Sequence, residues 1–404
     1  MLKAYVRNNE IEKKNFVNKL GIRKDIFELP FSPIREVARS AVNQEDVVQF
    51  WFGEPDVSTP EFIRSAAKLS LDLGETFYAP NSGLFPLRET ICDYMNRLYE
   101  TSICPEQVTV SVSGMNALMI SAQTLIPYGS KVVVVLPCWP NIPAVQHIIG
   151  AEVEGVPLKM KEEGWSLDLD HLFDACDNNT SAIIINSPNN PSGWVMNSDE
   201  QKAVLEFARK RGIWIISDEV YARISFNSDH APSFCEVIND EDLVIIVNSF
   251  SKSWAMTGWR LGWITAPAML ETQLEKITEY NVAGPPTFIQ QGGIIALKEG
   301  ETFIQENNKR YLKALSLFKE WTDSQERIGF CVPEAAFYAF FKIRDCNDSL
   351  SMAKNILKNY GVGLAPGCAF GPQYDSYLRL CYATSIPKLE RGLERLDEWL
   401  QSFK

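Results

Sequence analysis

Ser249-Phe250-Ser251-Lys252-Ser253-Trp254-Ala255-Met256-Thr257-Gly258-Trp259-Arg260 lies just beyond an apolar, β-branched run, Leu243-Val244-Ile245-Ile246-Val247. The run predicts a buried strand and puts Lys252 in a loop at its carboxyl end. In an open α/β sheet, ligands bind at that edge. A lysine there can condense with an aldehyde, and Arg260, eight residues on, can grip a phosphate through two parallel hydrogen bonds. Most Lys/Arg pairs are solvated surface, so the weight rests on whether other strand ends agree.

Four of them do. Val132–Leu136, Ala182–Ile185, Ile213–Ile216 and Leu261–Thr265 read as further strands, with helical patterns such as Glu200–Arg211 between them. Such alternation predicts an α/β unit with a mostly parallel sheet covered by helices. After Val108–Val112 comes Ser113-Gly114-Met115-Asn116, a small-residue turn opening a helix over Ala117–Leu125. Free backbone N–H groups and the positive dipole end suit a phosphate there. Trp139 follows Val132–Leu136 and can cover a planar ring. The turn Asn186-Ser187-Pro188-Asn189-Asn190-Pro191-Ser192-Gly193 follows Ala182–Ile185 and brings several amides to the same edge. Asp218 and Tyr221 follow Ile213–Ile216, three apart, so a starting helical turn would face both toward one spot. Singly, these read as a cap, a packing aromatic, an Asn/Pro turn and an N-cap. Together they surround one ligand, and pyridoxal phosphate carries both an aldehyde and a phosphate.

The composition is compatible. The chain has 404 residues, 46% hydrophobic and 22% charged, with a net charge of −12. That is ordinary for a globular protein and argues against a phosphate backbone or an anionic membrane as partner. No apolar run approaches the roughly 18–20 residues of a membrane-spanning helix, and residues 1–10 hold no apolar core of a secretory signal. Nine cysteines without a Cys-x-x-Cys pair predict reduced thiols and a cytoplasmic location. His147, His171 and His230 share no ligand spacing, so no metal site is expected. From about residue 290 the texture shifts to helical Gly292–Glu320, strand-like Phe337–Ile343, helical Leu350–Tyr360, short strands near Gly361–Leu364 and Tyr377–Ala383, and a last helix over Pro387–Phe403.

The segments Phe52-Gly53-Glu54-Pro55-Asp56, Tyr78-Ala79-Pro80-Asn81-Ser82-Gly83 and Tyr377-Leu378-Arg379-Leu380, with the Ser-x-Ser-Lys stretch, make the chain similar to class I/II pyridoxal-phosphate-dependent aminotransferases from about Ser32 to the C-terminus. The resemblance implies fold type I: a large α/β domain with a mostly parallel, seven-stranded sheet covered by helices, over 50–290. A smaller α+β domain would be built from 1–49 and 291–404. It implies that Lys252 carries the cofactor as a Schiff base and that Asp218 holds the ring-nitrogen proton. It further implies that Asn190 and Tyr221 bond the ring's phenolic oxygen and that Trp139 stacks on the ring. Ser113, Gly114, Ser249 and Arg260 hold the phosphate, with the backbone of Met115, and Tyr78 reaches the phosphate of the neighbouring subunit of a homodimer with shared sites. Arg379 clamps the substrate α-carboxylate, helped by Asn190 and the backbone of Gly53.

The implied reaction moves the amino group of an L-amino acid to a 2-oxo acid such as 2-oxoglutarate. A lyase or decarboxylase of the same fold is the alternative. A pyridoxal-phosphate-sensing regulator, which would need a DNA-binding module and basic character, is a minor one. Members that prefer dicarboxylates read the distal carboxylate with a lysine in the phosphate turn or an arginine from the partner; here Met115 stands in the turn, and no arginine occurs from Leu261 to Lys309. Trp139, Met115, Phe337 and Tyr338 are expected to favour a neutral or aromatic side chain, leaving Arg23, Arg35 and Arg39 as candidates for a second charge.

Overall fold

The computed structural model describes residues 21–402 other than Asn43 and Glu163. Its centre is a seven-stranded sheet of β1 (Val108–Ser111), β2 (Lys131–Leu136), β3 (Glu152–Pro157), β4 (Thr180–Asn186), β5 (Trp214–Asp218), β6 (Val244–Ser249) and β7 (Gly262–Thr265). Their order across the sheet is β1-β7-β6-β5-β4-β2-β3. Every pairing from β6 to β3 is parallel, whereas β7 runs antiparallel to both of its neighbours. Two reversals cancel, so β1 points the same way as β6, and six carboxyl ends open on one edge.

The sheet is buried on both faces, which is why its strands read as continuous apolar runs. Side chains alternate with period two between two core layers. Val133, Val135, Ile183, Ile185, Ile215 and Ile246 enter one, and Val132, Val134, Ile184, Ile216, Ile245 and Val247 the other. The helix Ser198–Arg211 shows local sequence logic meeting this plan. Asn197 and Glu200 form a reciprocal cap at its start, and Gly212, at φ +64°, ends it in the left-handed conformation that glycine adopts cheaply.

Beyond residue 287, the helices Thr287–Glu299 and Glu301–Asp323 lead to a four-stranded antiparallel sheet. Its members are Ile328–Phe330, Tyr338–Ile343, Tyr377–Cys381 and Ala365–Pro366, with Phe340 opposite Arg379. The strand Val48–Gln49 crosses from the N-terminal side to pair with Val362–Gly363. The last helix, Ile386–Gln401, buries Leu389, Leu393, Leu396 and Trp399 along one face; Phe403, where the sequence pattern ends, lies outside the described residues. No described helix is long and apolar enough to cross a membrane.

Two local expectations are corrected. Lys252 sits not in an open loop but in a short helix, Phe250–Ser253, whose start is capped by the Ser249 hydroxyl accepting from Ser251 N–H. The segment after Asp218 is a turn rather than a helix, because Glu219 N–H bonds Val247 on the neighbouring strand and breaks the helical ladder. All nine cysteines are free thiols.

Candidate functional site

A cavity of about 250 Å³ lies at the carboxyl edge, between the large sheet and the antiparallel sheet. Gly114, Met115, Trp139, Asn190, Asp218, Tyr221, Ser249, Lys252 and Arg260 line it, as do Gly53 and Arg379. Residues far apart in the chain meet because the strands that carry them are neighbours.

Asp218 closes β5 and is buried at 3% exposure. Among the described residues its carboxylate accepts a single, long bond, 3.4 Å, from Val220 N–H. Burial without adequate compensation pushes its pKa up to about 7. The backbone beneath it is fixed, since its carbonyl accepts from Asn186 Nδ2 at 3.0 Å and from Ser187 N–H at 3.1 Å. A rigid, nearly unsupported buried carboxylate facing a cavity fits a cationic guest, such as a protonated ring nitrogen.

Lys252 extends into the same space, and its amine donates to the Gly53 carbonyl at 2.7 Å. The stem is partly accessible from the cavity, yet burial pulls the amine's pKa down to about 8. Such an amine loses its proton close to neutral pH, as a nucleophile or general base requires. Gly53 is required by close approach: a Cβ there would lie 1.8 Å from Tyr338 Oη.

Arg379 is buried at 2% exposure. Nη1 donates to Asn190 Oδ1 at 2.9 Å, Nη2 donates to the Trp51 carbonyl, and the guanidinium lies 4.4 Å from the Tyr338 ring centre. Its Nε is buried with no partner among the described residues. An oriented arginine with unspent donor capacity suits a carboxylate ligand. Because Asn190 commits its amide oxygen to Arg379, its NH₂ is what it can offer a second group.

Phosphate-binding features sit at the other end. The helix Gly114–Leu125 points its N-terminus at the cavity, and Arg260, exposed and left-handed at φ +58°, donates to Thr257 O at 2.7 Å. Gly262 lets β7 tuck beneath that turn, since a Cβ there would lie 2.8 Å from Gly114 N. The buried carboxylate, lysine, helix end and arginine therefore fit pyridoxal phosphate in charge and hydrogen-bonding character.

Five sequence candidates, Ser113, Tyr78, Phe337, Arg23 and Arg39, stand apart from the wall. Ser113 is buried at φ +94°, and its hydroxyl caps the helix by accepting from Asn116 N–H at 3.3 Å. Tyr78 is 93% exposed and does not line the cavity. Phe337 packs against Tyr221, Tyr311 and Tyr338 behind the wall rather than in it, unlike Tyr338. Of the three N-terminal arginines, only Arg35 lines the cavity. Arg23 pairs with Asp25, and Arg39 stacks on Phe31 at 4.4 Å.

Sequence reasoning missed Trp51, Phe52, Asn186, Val220 and Ser251 as wall residues. Asn186 and Ser251 lie inside motifs already singled out, so strand-end position was the available signal. Trp51 arrives through the pairing of Val48–Gln49 with Val362–Gly363, which no local pattern announces.

Residues 45–396 match the family model for aminotransferase class I and II. An aspartate aminotransferase of Pyrococcus horikoshii is 31% identical, covering 92% of this chain and 95% of its own. An aromatic-amino-acid aminotransferase of Thermococcus litoralis is 30% identical, covering 92% and 96%. The crystal structure of an aromatic aminotransferase from Pyrococcus horikoshii superposes with a TM-score of 0.84 at 31% identity, covering 91% of this chain and 99% of that one.

Proposed function

The chain belongs to the class I and II aminotransferases, pyridoxal-phosphate enzymes of fold type I, and from that premise we propose which residues do the work and on which substrates. The donor is an L-amino acid with a neutral or aromatic side chain, and the acceptor is a 2-oxo acid such as 2-oxoglutarate. The observation that carries this reading is the meeting of Lys252, Asp218 and Arg379 on one cavity.

Bound pyridoxal phosphate supplies an aldehyde that takes up the amino group and a ring that accepts the electron pair left at the substrate Cα. Lys252 holds the cofactor at rest; once displaced, its amine takes the proton from Cα and later returns one. Asp218, as carboxylate, keeps the proton on the ring nitrogen. Asn190 Nδ2 and Tyr221 Oη donate to the phenolic oxygen, and Trp139 covers a ring face. Gly114, Met115 through its backbone, Ser249 and Arg260 would hold the phosphate, while Ser113, off the cavity wall, would serve by capping the helix behind them. Arg379 holds the α-carboxylate, oriented by Asn190, with Gly53 offering its backbone.

The donor side chain would meet Met115 and Trp139, which line the cavity and are apolar. Each methylene buried there adds about 0.8 kcal/mol. In the proposed division, a large domain spans 50–290, and 1–49 with 291–404 form the smaller one; residues 1–20 lie outside the described residues. The enzyme works in the cytoplasm as a homodimer in which Tyr78 serves the neighbouring site, a role compatible with its exposure in one chain.

Titration of the loaded enzyme with a panel of amino acids tests the reading. Expected is stoichiometric conversion to the aminated cofactor, with higher kcat/KM for a neutral or aromatic donor than for aspartate. Return of the original spectrum with loss of substrate would instead indicate a lyase.

A further inference from the structure

We infer that Arg35 forms an anion subsite at the mouth of the cavity and reads the second carboxylate of dicarboxylic substrates. One pocket then accepts both dicarboxylates and neutral or aromatic side chains. The inference rests on the aminotransferase site assigned above and extends it to substrate class.

The charge inventory of the cavity leads there. Among the described residues lining it, one is a carboxylate, Asp218, and four are cations, Lys252, Arg260, Arg379 and Arg35. Three cations are anchored: Lys252 on the Gly53 carbonyl, Arg260 on the Thr257 carbonyl and Arg379 on Asn190. Each also has an assigned anion or aldehyde. The Arg35 guanidinium has no ion pair or hydrogen bond among the described residues, and no anion of the cofactor or of the α-carboxylate is left for it.

Its backbone is nevertheless fixed. Arg35 lies in the helix Pro33–Arg39, capped by Ser32, whose hydroxyl accepts from Arg35 N–H. Ile34 and Val37 are buried and anchor that helix, and Ile34 itself lines the cavity. The neighbouring charges are already engaged, Glu36 with Lys354 and Arg39 on the Phe31 ring. Arg35 is thus a cation on a rigid mount with an exposed head that is unpaired among the described residues.

Exposure is what permits dual specificity. A buried arginine opposite an apolar side chain would be an uncompensated charge, and such a site would reject neutral substrates. An exposed one stays hydrated when a neutral side chain binds, so that binding is not penalised. When a second carboxylate arrives, the guanidinium can take it through two parallel, charge-assisted hydrogen bonds. Hydrogen bonds to charged groups predict a discrimination of about tenfold to a hundredfold.

Calorimetric binding of glutarate and of 3-phenylpropionate to the cofactor-loaded enzyme tests this. Arg35→Gln should weaken glutarate about tenfold to a hundredfold and leave 3-phenylpropionate within about twofold. Arg39→Gln, on the same helix but off the cavity, should change neither. Unchanged glutarate affinity in Arg35→Gln would overturn the inference, as would equal weakening of both ligands, which reports a disturbed helix. A wild-type enzyme that exchanges no amino group sinks the aminotransferase assignment instead, since the two affinities are read without turnover.

Discussion

The hydroxyl of Tyr221 lies 2.7 Å from the hydroxyl of Tyr338, joining a turn of the large sheet to a strand of the antiparallel sheet. Both rings are buried, and the Arg379 guanidinium sits over Tyr338 at 4.4 Å. A cation over that ring favours its phenolate and makes Tyr338 the better donor of the pair. Either hydroxyl can donate in this pair; with Tyr338 as donor, the Tyr221 proton would be free for the cofactor's phenolic oxygen. The side chain proposed to hold the substrate carboxylate is thereby linked to the one proposed to tune the cofactor.

Tyr338→Phe should therefore move a spectrum, not only a rate. Without its donor, Tyr221 becomes a weaker donor itself, and the pH midpoint of the cofactor's visible transition should rise. Loss of one hydrogen bond of about 1 kcal/mol sets the scale at up to roughly one pH unit and a fivefold to tenfold loss of kcat. An unmoved midpoint with normal turnover would assign Tyr338 to packing alone.

Asp218→Asn should cost about 3–5 kcal/mol of transition-state stabilisation, or roughly two to four orders of magnitude in kcat/KM, because an amide cannot hold the ring proton by charge. The cofactor-free protein should respond in the opposite direction. The folded pKa of Asp218, about 7, exceeds its ordinary 3.8, so the folded chain holds a proton that the unfolded chain releases across that window. Stability then falls as pH rises from about 4 to 7. Glu219, also raised to about 7 by burial, contributes a parallel loss. Melting temperature against pH should flatten partly, not wholly, in Asp218→Asn; a slope equal to wild type would show that Asp218 does not titrate as its burial demands.

Lys252→Ala should abolish turnover, and borohydride reduction of the wild type followed by peptide mapping should find the cofactor on Lys252. A label on another lysine would displace this assignment. The linkage here has the other sign. With a folded pKa near 8 against 10.5 unfolded, the unfolded chain binds more protons between those values. The stability of the cofactor-free protein should rise across that pH range, and Lys252→Ala should remove that rise.

Tyr78 should matter only between chains. At 93% exposure it packs against little among the described residues of its own chain, and in the proposed dimer it would reach the neighbouring site, so Tyr78→Phe should weaken cofactor retention without changing the fold of one chain. Sedimentation should show a dimer at working concentration. A fully active monomer would refute shared sites.

Much of this was legible before any coordinates. Continuous β-branched runs declared a sheet buried on both faces, and the residues just beyond them, from Gly114 to Arg260, declared a common ligand, because parallel strands must deliver their carboxyl ends to one edge. Local pattern also fixed helix limits where caps were present, as with Asn197, Glu200 and Gly212. It could not show that β7 runs antiparallel between β1 and β6, since direction is settled by pairing partners distant in sequence. Nor could it place Tyr338 against Tyr221, or tell Arg35 from Arg23 and Arg39. Those relations depend on how two sheets and an N-terminal helix pack around a cavity, and only tertiary contacts carry that information. The chemistry was written in residue types at strand ends; the distances and burial that bring Asp218 to about 7 and Lys252 to about 8 arise only when the chain closes over them.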